Sequence, residues 1–154
     1  MPIPVVGKAA PDFSLAASSG ETVRLSALRG KKVVLYFYPK DNTPGCTDEA
    51  CDFGAQNAKF EREGAVVLGV SPDSLRKHGN FIKKFKLPFL LLSDEGHKAA
   101  EAYGVWGEKI NFGHKYMGVI RSTFLIGKDG KVEKAWPKVR VEGHAAEVLA
   151  ALKD

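Results

Sequence analysis

Val33-Val34-Leu35-Tyr36-Phe37-Tyr38-Pro39-Lys40-Asp41-Asn42-Thr43-Pro44-Gly45-Cys46 contains the transition that decides the fold. An unbroken apolar run ends at a proline, a polar turn follows, and Pro44 stands where a helix can begin. Proline suits a first helical position because the N–H it lacks would be unpaired there anyway. The run before it is apolar at every position, as in a strand covered on both faces. The segment therefore reads strand, turn, helix. The first cysteine lies at the junction, and the only other one, Cys51, follows five residues later.

Upstream, Phe13 to Leu15 and Thr22 to Leu25 flank Ser18-Ser19-Gly20 and predict an N-terminal β-hairpin. Ser26 is placed to cap a short helical turn before Gly30. Downstream, the cysteine helix can run to Gly64, and Ala65 to Val70 reads as a second apolar strand. Ser71-Pro72-Asp73-Ser74 signals a helix start, with Leu75, Phe81, Ile82 and Phe85 as its apolar stripe. A strand over Phe89–Leu92 and a short helix over Lys98–Tyr103 come next. Gly104 to Gly118, rich in glycine and without clear periodicity, reads as a long ordered loop. Ser122–Ile126 and Lys131–Trp136 form a hairpin, and Gly143–Leu152 an amphipathic helix. The alternation gives an α/β fold, a central mixed sheet flanked by helices, as one domain over residues 1–154.

The chain has 154 residues, 44% of them hydrophobic and 27% charged, a globular profile able to bury a core without disulfides. A net charge of +5 is mildly basic. The densest basic cluster, Lys83-Lys84-Phe85-Lys86, reads as a solvated helix face, because no nucleic-acid-binding motif accompanies it. No apolar run reaches membrane-spanning length, and the start lacks the pattern of a signal peptide. The expectations are no nucleic acid, no membrane and a cytoplasmic setting, where thiols are kept reduced.

Two cysteines five apart can be core residues, a structural disulfide, part of a metal site or a redox couple. Thr, Gly and Asp around Cys46 argue against a plain core position. No pair among His78, His97, His114 and His144 has ligand spacing, so no metal is expected, and the histidines read as surface or loop residues. Gly-x-Ser-x-Gly, phosphate-loop and dinucleotide fingerprints are absent from the sequence.

The redox reading has physical support. A thiol with its ordinary pKa of about 8.5 is mostly protonated at neutral pH, and the thiolate is the nucleophile. In the first helical turn, unpaired N–H groups and the helix dipole favour the anion at Cys46. Thr43 can direct its hydroxyl to the same place. Asp48 and Glu49 oppose the anion, so a nearby cation is expected, and arginine suits because it stays charged. Spacing alone does not choose the arginine. Residues five apart on a helix lie about 8–9 Å apart and point about 140° away from each other. Disulfides need Cα atoms within about 6.8 Å, so Cys46 and Cys51 can bond only if the helix start unwinds.

From Tyr36 to Phe53 the sequence resembles the peroxiredoxins, most closely their bacterioferritin comigratory protein (PrxQ) branch. The Pro-x-x-x-Thr-x-x-Cys pattern falls on Pro39, Thr43 and Cys46. Ala10–Phe13, Leu92–Asp94, Tyr103–Lys109 and Arg121–Ile126 agree with it. The resemblance implies a thioredoxin-like fold and a thiol-dependent peroxidase acting on hydrogen peroxide and organic hydroperoxides. It implies Cys46 as the peroxidatic and Cys51 as the resolving cysteine, joined in an intramolecular disulfide. Pro39 would shield the pocket, Thr43 would hydrogen-bond thiolate and peroxide, Arg121 would be the missing cation, and Glu49 would orient it. A thioredoxin or similar dithiol reductant is the implied partner, with a monomer as the working form. The competing activity is thiol–disulfide exchange on protein disulfides, disfavoured because its usual motif is Cys-x-x-Cys.

Overall fold

A computed structural model describes residues 2–153. The N-terminal hairpin forms as expected from β1 (Ser14–Ala17) and β2 (Thr22–Arg24). A 3-10 turn over Leu25–Leu28 follows, but Ser26 does not cap it. Arg24 holds the cap position, and the Ser26 backbone N–H donates instead to Asp12 Oδ1 at 2.9 Å. Next come β3 (Lys32–Phe37), α1 (Pro44–Arg62), β4 (Ala65–Ser71), α2 (Leu75–Phe85), β5 (Leu90–Ser93) and α3 (Lys98–Ala102). The chain continues through β6 (Trp106–Asn111), β7 (His114–Val119), β8 (Ser122–Ile126), β9 (Val132–Trp136) and α4 (His144–Leu152).

Seven strands make one sheet in the order β2-β1-β5-β4-β3-β8-β9. The β3–β4 and β4–β5 pairs are parallel and the others antiparallel, so the sheet is mixed. Alternation along β3 explains its unbroken apolar run. Val34, Tyr36 and Tyr38 pack with Phe53 and Phe60 of α1, Phe81 of α2 and Val148 and Leu149 of α4. Val33, Leu35 and Phe37 point the other way, into a cluster with Ala99, Ala100, Tyr103 and Leu25. Both faces of the central strands are covered, as the sequence pattern requires. Helix α1 opens with Pro44 and stops before Gly64, whose φ of 76° ends the helical path.

Residues 104–118 depart from expectation. They form the hairpin β6–β7, in register from Trp106↔Val119 to Asn111↔His114, rather than a loop. The turn is Phe112-Gly113, with φ of 50° and 80°, both in the left-handed region that two-residue hairpin turns demand. The usual turn dipeptides carry Asn or Asp before the glycine. Phe112 accepts that backbone while remaining 96% exposed, so the sequence lacks the common signal.

Candidate active site

Register brings the site together. In the antiparallel β3–β8 ladder Phe37 faces Ser122, so Arg121 enters beside the end of β3, where the turn toward α1 begins. Pro39 is half-buried directly after Tyr38, and Thr43 takes the N-cap of α1 in extended conformation. The Thr43 hydroxyl donates to the carbonyl of Lys40, three residues back, at 2.9 Å. Its proton is therefore used within the turn and not, as the sequence reading expects, on the Cys46 sulfur, and its lone pairs are left to accept. Cys46 falls in the first turn of the helix and is 1% exposed.

Arg121 bridges the centre. One guanidinium nitrogen donates to Cys46 Sγ at 3.1 Å and another to Glu49 Oε1 at 2.6 Å. Glu49 lies three residues beyond Cys46 on α1, so the two side chains share a helix face. Gly45 lets the guanidinium approach: a Cβ there would sit 3.3 Å from an Arg121 nitrogen. Of the six residues assigned from sequence, Cys46, Arg121 and Glu49 are in direct contact. Pro39 and Thr43 flank them on the turn.

Cys51 stands apart. It is on the same helix but exposed, whereas Cys46 is buried, and both thiols are free. Partial burial, then the Asp48 and Asp52 carboxylates, push the Cys51 thiol above its ordinary range. Lys109 carries no sequence signal that places it near Arg121. Burial, then Arg121, lowers its ammonium, the charge of Cys46 counters this, and Nζ donates to Val119 O at 3.0 Å.

Burial raises the Glu49 carboxyl from 4.5 to about 7, against the opposing pull of Arg121. Its Oε2 is buried without a partner. Because the folded protein holds this proton more tightly than the unfolded chain, the stability contribution is complete below about pH 4.5 and is lost as pH rises through 7. Glu49→Gln is expected to flatten the fall in melting temperature across that window. An equally steep fall in the variant would exclude Glu49 as its source.

Two histidines differ from expectation. His78 and His144 are buried rather than on the surface or in loops, because each ring has both nitrogens matched. His144 pairs with Glu147 and with Thr123 Oγ1, and His78 with Asp41 Oδ2 and the Leu92 carbonyl. Asp41, Asp73 and His78 bring ligand atoms within 4.8 Å of one another, a spacing a cation could use. Asp41 Oδ2, Asp73 Oδ2 and His78 Nδ1 are all engaged in internal hydrogen bonds, which a metal would have to displace. No helix among the described residues is long and apolar enough to cross a membrane.

The AhpC/TSA family model matches residues 6–135. Peroxiredoxin Bcp of Bacillus subtilis (strain 168) is 58% identical over 149 residues, covering 97% of this chain and 95% of that protein. Peroxiredoxin Bcp of Escherichia coli (strain K12) is 43% identical over 148 residues, covering 96% and 95%. The solved structure of Xanthomonas campestris Peroxiredoxin Q superposes with a TM-score of 0.90 at 45% identity, over 96% of each chain. The fold is the thioredoxin-like α/β arrangement of these proteins. The chain thus belongs to the AhpC/TSA family and, within it, to the Bcp/PrxQ peroxiredoxins, enzymes that reduce peroxides with a cysteine thiol.

Proposed function

We propose that residues 1–154 act as one peroxidase domain that reduces hydrogen peroxide and organic hydroperoxides through a Cys46–Cys51 cycle. The observation that carries this is the Arg121 guanidinium shared between Cys46 Sγ and Glu49. A fixed cation 3.1 Å from the sulfur faces the charge that develops as the peroxide bond breaks. Cys46 thiolate attacks the terminal peroxide oxygen. The O–O bond breaks, the sulfur becomes a sulfenic acid, and the leaving alkoxide or hydroxide takes a proton from solvent. Pro39 shields the sulfur from water, and the Thr43 oxygen accepts from the peroxide O–H. One structure of a relative, the Xanthomonas campestris bacterioferritin comigratory protein, is described in terms of alkyl peroxide reduction, which supports including organic hydroperoxides.

Cys51 then displaces water from the sulfenic acid to give the disulfide. Helix α1 must unwind first, since five helical residues separate the two sulfurs by more than a disulfide allows. A dithiol reductant of thioredoxin type attacks the disulfide and returns both thiols, with no bound cofactor. The working form is a cytoplasmic monomer.

Intact mass after one equivalent of peroxide tests the cycle. The expected product is a protein lighter by two hydrogens, and Cys51→Ser should instead carry one added oxygen. A stable one-oxygen adduct in the unaltered protein would remove Cys51 as the resolving thiol.

A further inference from the structure

The turn that carries Pro39 and Thr43 is tied to α2 and the segment before it by a buried polar network that the cysteine cycle does not use. His78, on α2, is 0% exposed. Its Nε2 lies 2.9 Å from Leu92 O, a carbonyl that only accepts, so Nε2 carries a proton. Its Nδ1 lies 2.6 Å from Asp41 Oδ2, a short contact within a buried pair. The other Asp41 oxygen accepts from Tyr38 O–H, and burial, then Tyr36 and Asp41, keep that phenol far above its ordinary range and so a donor. The Asp41 backbone N–H donates to Asp73 Oδ2 at 2.7 Å, which Ser71 Oγ also contacts at 2.7 Å. On the surface, Lys84 Nζ reaches Asn42 Oδ1 at 3.3 Å, and Asn42 holds a left-handed φ of 59°. Two successive turn residues are thus fastened to α2 and to the β4–α2 connection, and Thr43 leads directly into Cys46.

We propose that the His78–Asp41 pair is a positioning device that holds the Pro39–Thr43 turn in its peroxide-reacting conformation and resists the unwinding that disulfide formation needs. His78 touches neither sulfur. It acts through Asp41, and the network sets the balance between the oxidation step and the resolution step. A buried pair with both ring nitrogens and both carboxylate oxygens hydrogen-bonded suits this role, because such groups fix one conformation more than they add stability. The inference rests on Cys51 being the resolving thiol.

The experiment measures both steps by stopped flow: the second-order reaction with hydrogen peroxide and the first-order disulfide formation that follows. The variants are His78→Gln, His78→Asn and Lys84→Met. Glutamine places its amide near Nε2 and loses the Asp41 bond, whereas asparagine places its amide near Nδ1 and keeps it. His78→Gln is expected to slow oxidation about tenfold and to speed resolution about fivefold. His78→Asn should stay near wild type. Lys84→Met, on the surface and safe for folding, should shift both steps in the same senses by about twofold. The proposal is overturned if His78→Gln and Lys84→Met leave both rates unchanged, if both rates fall together, or if asparagine behaves as glutamine does. Failure of the wild type itself to form the disulfide would instead refute the Cys46–Cys51 cycle.

Discussion

Cys46→Ser is expected to bring peroxide turnover down to the uncatalysed background while leaving the fold intact. Serine is the nearest isostere of Cys46 within the cluster of Ala50, Phe53 and Tyr38, slightly smaller and more polar, and its oxygen can still accept from Arg121. The nucleophile is lost, because a hydroxyl beside one cation is not appreciably ionised near neutral pH and cannot be oxidised to a sulfenic acid. The fall should exceed about a thousandfold, the scale on which losing a covalent nucleophile is felt. Circular dichroism and urea unfolding should match the wild type. Turnover within tenfold of the wild type would remove Cys46 as the attacking group.

Arg121→Met should slow oxidation by about a hundredfold or more without removing it. The thiol remains in place at the helix start, but the preorganised donor facing the developing charge is gone. A second consequence separates the two partners of Arg121. Glu49 is 1% exposed, and without the guanidinium its charge would stand buried and alone, a loss of about 3 kcal/mol for broken pairs of this kind. Because Glu49 already holds its proton up to about 7, it can escape by protonation, and the loss should be smaller at pH 5 than at pH 8. Adding Glu49→Gln to Arg121→Met should recover most of the stability at pH 8 and none of the oxidation rate. Recovery of the rate would mean that the arginine serves only to neutralise Glu49.

What the sequence reveals depends on whether the cause is local. The apolar run ending at Pro39, the proline opening α1 and the glycine closing it are local signals, and those elements fall where they were expected. The need for a cation at Cys46 followed from Asp48, Glu49 and helix-end physics. Its identity did not, because Arg121 lies 75 residues away and reaches the thiol only through the β3–β8 register. The family resemblance supplied the residue that spacing could not. His78 is a harder case: its partners Asp41 and Leu92 are 37 and 14 residues distant, so nothing beside it in the sequence marks it as buried. The sequence hides the β6–β7 hairpin for a local reason, a Phe-Gly turn in place of the usual Asn-Gly or Asp-Gly.

The distance between thiol and cation also orders events during synthesis. Strand β3, α1 and both cysteines leave the ribosome well before β8, and contacts closed over long loops form late. Until β8 pairs with β3, Cys46 has a helix start but no guanidinium against its sulfur. A nascent or truncated chain therefore carries a comparatively quiet thiol, and reactivity toward oxidants arrives with completion of the sheet.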